Sequence, residues 1–154
     1  MSQKFKQREI LPDTKYNDIL VAKFINSIME MGKKSIAQAV VYDAFAQIKK
    51  TTKKEPLDVF IKALKEVSPR AEVRPQRVGG ATYQVPRDVK EKRSVSLAFR
   101  WIIQASKAKK GKPMALKLAE ELAAASKGEG EAIKKKINMH KMAQANKAFA
   151  YLAK

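Results

Sequence analysis

RPQRVGGATYQVPR, residues 74–87, breaks a sequence that otherwise repeats apolar residues at helical spacing. Gly79 and Gly80 tolerate the positive φ that a primed two-residue turn requires at both central positions, so the stretch predicts a β-hairpin. Counting away from that turn sets the register. Val78 faces Ala81, Gln76 faces Tyr83 and Arg74 faces Val85; on the other side Arg77, Pro75 and Val73 face Thr82, Gln84 and Pro86. Neither side is a continuous apolar face. Two prolines also remove ladder donors, and an isolated hairpin is marginal in water. The hairpin, over about residues 72–88, must therefore lean on helices or be held by a partner outside the chain.

Three helices are expected before it. Leu20, Phe24, Ile28 and Met31, with Val21 and Ile25, trace one helical face after the candidate N-caps Asn17 and Asp18, and Gly32 supplies a stop. Ser35 and Gln38 have capping-box spacing for a second helix, with Ala37, Val40, Val41, Ala44, Phe45 and Ile48 as its stripe and Lys49 and Lys50 at its carbonyl end. Pro56 suits the first position of a third, in which Leu57, Phe60, Ile61, Leu64 and Val67 face inward until Pro69.

Three more are expected after it. The fourth, from about Lys90 to Lys109, turns Val95, Ala98, Trp101, Ile102 and Ala105 inward; the fifth starts near Pro113 with Ala115, Leu118, Leu122 and Ala125 and stops at Gly128. A sixth, from about Glu131, spreads Ile133, Ile137, Met142, Phe149 and Leu152 around its circumference, which predicts partial docking or a contact beyond the chain. The expected fold is mainly α: a six-helix bundle with one protruding two-stranded β-hairpin arm, in a single domain over residues 1–154 with a basic N-terminal arm, residues 1–16. Trp101, Phe24, Phe45 and Phe60 are assigned to the core.

A domain of 154 residues buries roughly 70% of the surface its unfolded chain exposes. Its 33 basic and 15 acidic residues give a formal charge of +18. Self-repulsion on that scale opposes compaction unless an anionic partner neutralises it, and nucleic acid is the first candidate. The chain has no cysteine, which excludes disulfides, thiolate nucleophiles and thiolate metal sites. No stretch has the apolar length of a signal peptide or of a membrane span of about 18 residues, so a soluble, unexported protein without a membrane partner is expected.

The cationic residues are not uniform. Six of the seven arginines, Arg70, Arg74, Arg77, Arg87, Arg93 and Arg100, fall between residues 70 and 100, Arg8 being the exception, while lysine dominates elsewhere. Arginine's planar fork engages phosphate through two hydrogen bonds and stacks on bases, whereas lysine acts as a point charge. Arg93, Ser96, Arg100, Gln104 and Lys107 also share one side of the fourth helix, a spacing that suits a phosphate backbone. Tyr83 has two readings, stacking on a base or packing against Gln76 or a helix.

Other functions fit less well. A DNA-bending protein with β-ribbon arms needs an apolar wedge at the arm tip, where this chain has Gly79–Gly80. His140 is the only histidine, and the carboxylates are scattered among lysines, so spacing assembles neither a nucleophile–base pair nor a His-rich metal set. A carboxylate-only, Mg²⁺-dependent nuclease is the remaining enzymatic alternative, and metal-dependent cleavage of RNA would identify it. No enzyme activity and no cofactor are expected.

ILPDTKYND, GKKS, RVGGATYQVP, RW, GEG and HKMAQANKAFA, in that order from Ile10 to Ala150, resemble the bacterial-type small-subunit ribosomal protein seven family. The likeness extends over nearly the whole chain from Arg8 onward. It implies a ribosomal RNA-binding protein of the cytoplasmic small subunit that binds the 3′ major domain of the RNA, nucleates assembly of the subunit head and lies near the exit-site tRNA and the messenger path. The residues it implies for RNA are Lys4, Lys6 and Arg8 in the N-terminal arm, Lys33 and Lys34 in the GKKS turn, Arg74 and Arg77 in the hairpin, and Arg93 and Arg100 in the fourth helix. The hairpin tip, Arg77, Val78, Gly79, Gly80, Ala81, Thr82 and Tyr83, would approach the exit-site tRNA. The sixth helix would reach towards ribosomal protein eleven and the messenger, beside other head proteins. The chain departs from the family pattern in its lysine-rich N-terminal arm, in Thr14 and in its YLAK end.

Overall fold

A computed structural model describes residues 8–153. It contains six α-helices and a two-stranded antiparallel sheet, in the order α1 Ile19–Ile28, α2 Lys34–Thr52, α3 Pro56–Val67, β1 Ala71–Val78, β2 Ala81–Asp88, α4 Glu91–Ala108, α5 Met114–Ser126 and α6 Glu131–Ala145, closed by a short 3₁₀ helix, Lys147–Leu152. The expected mainly α bundle with a hairpin arm is the observed architecture. The expected sixth helix is shorter than its apolar residues suggested. It ends at Ala145, so Phe149 and Leu152 belong to the 3₁₀ turn.

Local chemistry explains the starts of α1 and α3. Asp18 caps α1 by accepting the Val21 N–H at 3.0 Å. Ahead of it, buried Asp13 accepts the N–H groups of Lys15 and Tyr16, each at 3.0 Å, and the Tyr42 hydroxyl at 2.7 Å, tying the entry loop to α2. Burial alone would raise the Asp13 carboxyl; the hydrogen bonds from Tyr42, Tyr16, Lys15 and Thr14 outweigh it and hold the group below its ordinary value. Pro56 occupies the first turn of α3 as its fixed φ favours.

Two expectations at the α1–α2 junction are corrected. Met31 is not on the buried stripe of α1, because the helix stops at Ile28; Met31 has φ 53° and is 94% exposed. Ser35 does not cap α2 either. The turn closes early, with the Lys33 N–H donating to Glu30 O at 3.0 Å and the Lys34 N–H to Gly32 O at 2.9 Å, so the helix begins at Lys34 and carries Ser35 past the cap position.

The core lies where α5 packs against α2, α3 and α4, with α1 closing the side between α2 and α4. Phe24, Phe60 and Phe99 meet there: the Phe24 ring is 5.1 Å from Phe60 and 5.2 Å from Phe99, and Phe45 is 5.4 Å from Phe60. Such tilted pairs add to the stabilisation from buried area alone. Trp101 is buried as expected.

The first turn of α6 is built around Glu121 of α5, which is 1% exposed. Its Oε1 accepts the Ala132 N–H at 2.9 Å, satisfying one of the donors that every helix start leaves unpaired, and Lys109 Nζ lies 3.0 Å from its Oε2. Gly130 is required beside it. Its φ is +100°, and a Cβ there would stand 2.8 Å from Glu121 Oε1.

Candidate nucleic-acid interface

The hairpin has the register expected from its turn. Val78 pairs with Ala81, Gln76 with Tyr83 and Arg74 with Val85, and the ladder extends through Glu72 with Arg87 to Ala71 with Asp88. Gly79 and Gly80 have φ of +57° and +88°, as a primed turn demands.

Its two ends differ. The tip, Arg77 to Thr82, is exposed, whereas Val85 near the base is fully buried. Of the two supports open to a marginal hairpin, the base leans on helices of the same chain. The Arg70 N–H, just before β1, donates to His140 Nε2 of α6 at 3.1 Å. Burial, then the positive charges of Lys136 and Arg70, lower the His140 pKa and so favour the neutral ring that can accept this bond. Tyr83 is not part of the free tip, since its ring packs on Phe149 of the 3₁₀ helix with centroids 5.2 Å apart. The C-terminal turn is therefore the arm's buttress, which accounts for the scattered apolar residues after Ala145.

The body of the patch is α4. Seven residues separate Arg93 from Arg100, close to two turns, so both project from one side about 10 Å apart along the axis. Arg100 is exposed. Further along the same side Lys107 pairs with Glu30 after α1, and Gln104 accepts a hydrogen bond from Lys135 of α6 at 2.8 Å. The stripe thus runs between α1 and α6, which fix its edges.

Glu72 joins arm to body. Its carboxylate accepts Arg74 Nε at 2.6 Å and, through the other oxygen, Arg93 Nε at 3.3 Å and Nη2 at 3.2 Å. Arg74 and Arg93 are the two members of the expected RNA set that form ion pairs among the described residues. Both remain partly open, with side chains 48% and 41% exposed against 8% for Glu72. The sequence reading missed Glu72, although an acidic residue heading an arginine-rich strand was the available signal. Arg87, its cross-strand neighbour, donates to Gln76 Oε1 at 2.7 Å and so stiffens the arm.

The remaining expected residues among those described lie ahead of α1 and at the start of α2. Arg8 and Lys34 line one groove together with Asn26 and Gln38, and Lys33 is exposed in the adjoining turn. Lys4 and Lys6 lie outside the described residues. Among the described residues no group of three or more histidine, aspartate or glutamate side chains is placed to hold a metal ion, and no helix is long and apolar enough to cross a membrane.

Four similarities bear on this geometry. The family model described as ribosomal protein S7p/S5e matches residues 1–147. The small ribosomal subunit protein uS7 of Pseudothermotoga lettingae is 58% identical over 145 residues, 94% of this chain and 94% of the relative. That of Thermotoga maritima is 58% identical over 146 residues, 95% of this chain and 94% of the relative. The protein of the same description from Dictyoglomus turgidum is 54% identical over 144 residues, 94% of this chain and 92% of the relative. With an arginine-bearing hairpin braced on a helical bundle and a match of this extent, the chain belongs to the ribosomal protein S7p/S5e family, structural proteins of the small ribosomal subunit rather than enzymes.

Proposed function

We propose that this chain is a primary ribosomal RNA-binding protein that grips the 3′ major domain of small-subunit RNA and nucleates folding of the subunit head. The observation that carries the reading is the union of arm and body at Glu72, which places hairpin and α4 arginines side by side on a bundle with a complete core of its own. A rigid body that neutralises phosphates on several RNA helices at once binds one RNA conformation better than the others, and so shifts the population towards it. The RNA-facing set is Arg74 and Arg77 of the hairpin, Arg93 and Arg100 of α4, Arg8 and Lys34 of one groove with Lys33 beside it, and Lys4 and Lys6, which lie outside the described residues. The free tip from Arg77 to Thr82 extends towards the exit-site tRNA and the messenger path, while α6 and the 3₁₀ helix face ribosomal protein eleven.

Nucleotide footprinting on a folded 3′ major domain fragment tests this, with duplex DNA as competitor at matched salt. Protection of the fragment is expected, with affinity falling on a log–log salt plot by roughly 0.7 to 0.9 per neutralised phosphate. Equal affinity for the DNA, with no protected nucleotides, overturns it.

A further inference from the structure

Glu72 is a carboxylate inside a patch whose task is to hold polyanion, and if net charge alone mattered it would weaken binding. Its placement argues the opposite. Each of its oxygens serves one arginine: Oε1 takes Nε and Nη2 of Arg74, both at 2.6 Å, and Oε2 takes Nε and Nη2 of Arg93. A guanidinium carries five N–H donors in a rigid fork, so each arginine keeps three that Glu72 does not use. Because both present the same edge to the carboxylate, both turn their Nη1 ends away from it, and both side chains stay nearly half exposed.

We infer that Glu72 is a positioning residue for RNA, clamping Arg74 and Arg93 into a preorganised pair whose outward donors meet the phosphate backbone. The inference rests on the RNA-binding reading above. Two free arginines so close would repel and sample separate rotamers, and each would have to be ordered when RNA binds. The buried carboxylate completes that ordering beforehand and leaves the trio with a net positive charge. Since Arg93 stands on α4 and the other two on β1, the clamp also holds the angle between arm and bundle.

The test is Glu72→Gln, measured against both a folded 3′ major domain fragment and unstructured poly(U). The substitution raises the formal charge by one, so poly(U) affinity should hold or rise. Affinity for the folded fragment should fall about tenfold, the scale of one charge-assisted hydrogen bond. In an Arg74→Ala/Arg93→Ala background the same substitution should change fragment affinity by less than about twofold, since nothing remains to position. Unchanged or tighter fragment binding by Glu72→Gln, or an undiminished loss in the double-alanine background, overturns the inference. Should Glu72→Gln fail to fold, Arg93→Lys, which keeps the charge and a partner for Glu72 but lacks the two-donor edge, should lose a similar factor; wild-type affinity for the fragment overturns the inference equally. A wild-type protein that does not prefer the fragment to poly(U) instead defeats the RNA-binding proposal itself.

Discussion

Replacing Gly130 by alanine separates two costs that the structure places within three residues of each other. Gly128 and Gly130 both have positive φ, +81° and +100°, but a Cβ at Gly128 meets no atom within 4 Å, while one at Gly130 meets Glu121 Oε1 at 2.8 Å. Gly128→Ala therefore carries only the backbone penalty of an L-residue in the left-handed region, about 1–2 kcal/mol. Gly130→Ala meets φ +100° with ψ 172°, a region essentially confined to glycine that costs about 1–3 kcal/mol, and also pushes the Glu121 carboxylate off the Ala132 N–H, a charge-assisted bond worth about 1.5–3 kcal/mol. For a domain of this size each kcal/mol lowers Tm by about 2–4 °C. Thermal melts followed by far-ultraviolet circular dichroism should show Gly128→Ala down by about 2–8 °C and Gly130→Ala by about 5–24 °C. Because α6 carries the acceptor for Arg70 and leads into the 3₁₀ turn behind Tyr83, Gly130→Ala should also weaken RNA binding at temperatures where the core is intact. Equal Tm values for the two variants refute the idea that Glu121 holds the start of α6.

Three further outcomes are expected. Gly79→Val should distort the arm because a β-branched residue resists φ of +57°, whereas Gly79→Asn, which tolerates that region, should retain the hairpin cross-peaks in NMR spectra. The folded pKa of Asp13 lies below the ordinary 3.8, so its stabilisation is complete above that value and is lost as pH falls through the folded one; Asp13→Asn should melt lower than wild type at pH 7, with the gap narrowing in strong acid. The folded pKa of His140 is likewise depressed below 6.5, so the unfolded chain takes up its proton first and stability declines as pH drops below about 6.5; His140→Gln should flatten that part of a Tm against pH curve, and NMR titration of the imidazole should give a midpoint below 6.5.

What could be read from the sequence was what is encoded locally. The stripes of α1, α3, α4 and α5, Pro56 at a helix start, and the Gly79–Gly80 turn with its whole register follow from spacing and backbone preference within a few residues. The long-range pairings did not follow. Asp13, Glu72 and Glu121 are buried acids with partners on other elements: Tyr42 for the first, Arg93 for the second, Lys109 and the Ala132 N–H for the third. No periodicity announces such a contact, because a carboxylate on a helix or strand looks solvated until the fold supplies its donors. The same limit explains the chain's end. Phe149 and Leu152 have spacing compatible with a continued helix, and only the position of Tyr83 shows that they leave it to brace the arm. For the proposed RNA set, residue type nominated the arginines, but their division into clamped and open members depended on Glu72.

The pairing of Tyr83 with Phe149 also bears on timing during synthesis. Chains emerge from the N-terminus, and the strand bearing Tyr83 is made well before the turn that supports it. When α1 to α3 have been made the hairpin still lacks this brace, so the arm gains its full support only after the C-terminal residues have been added.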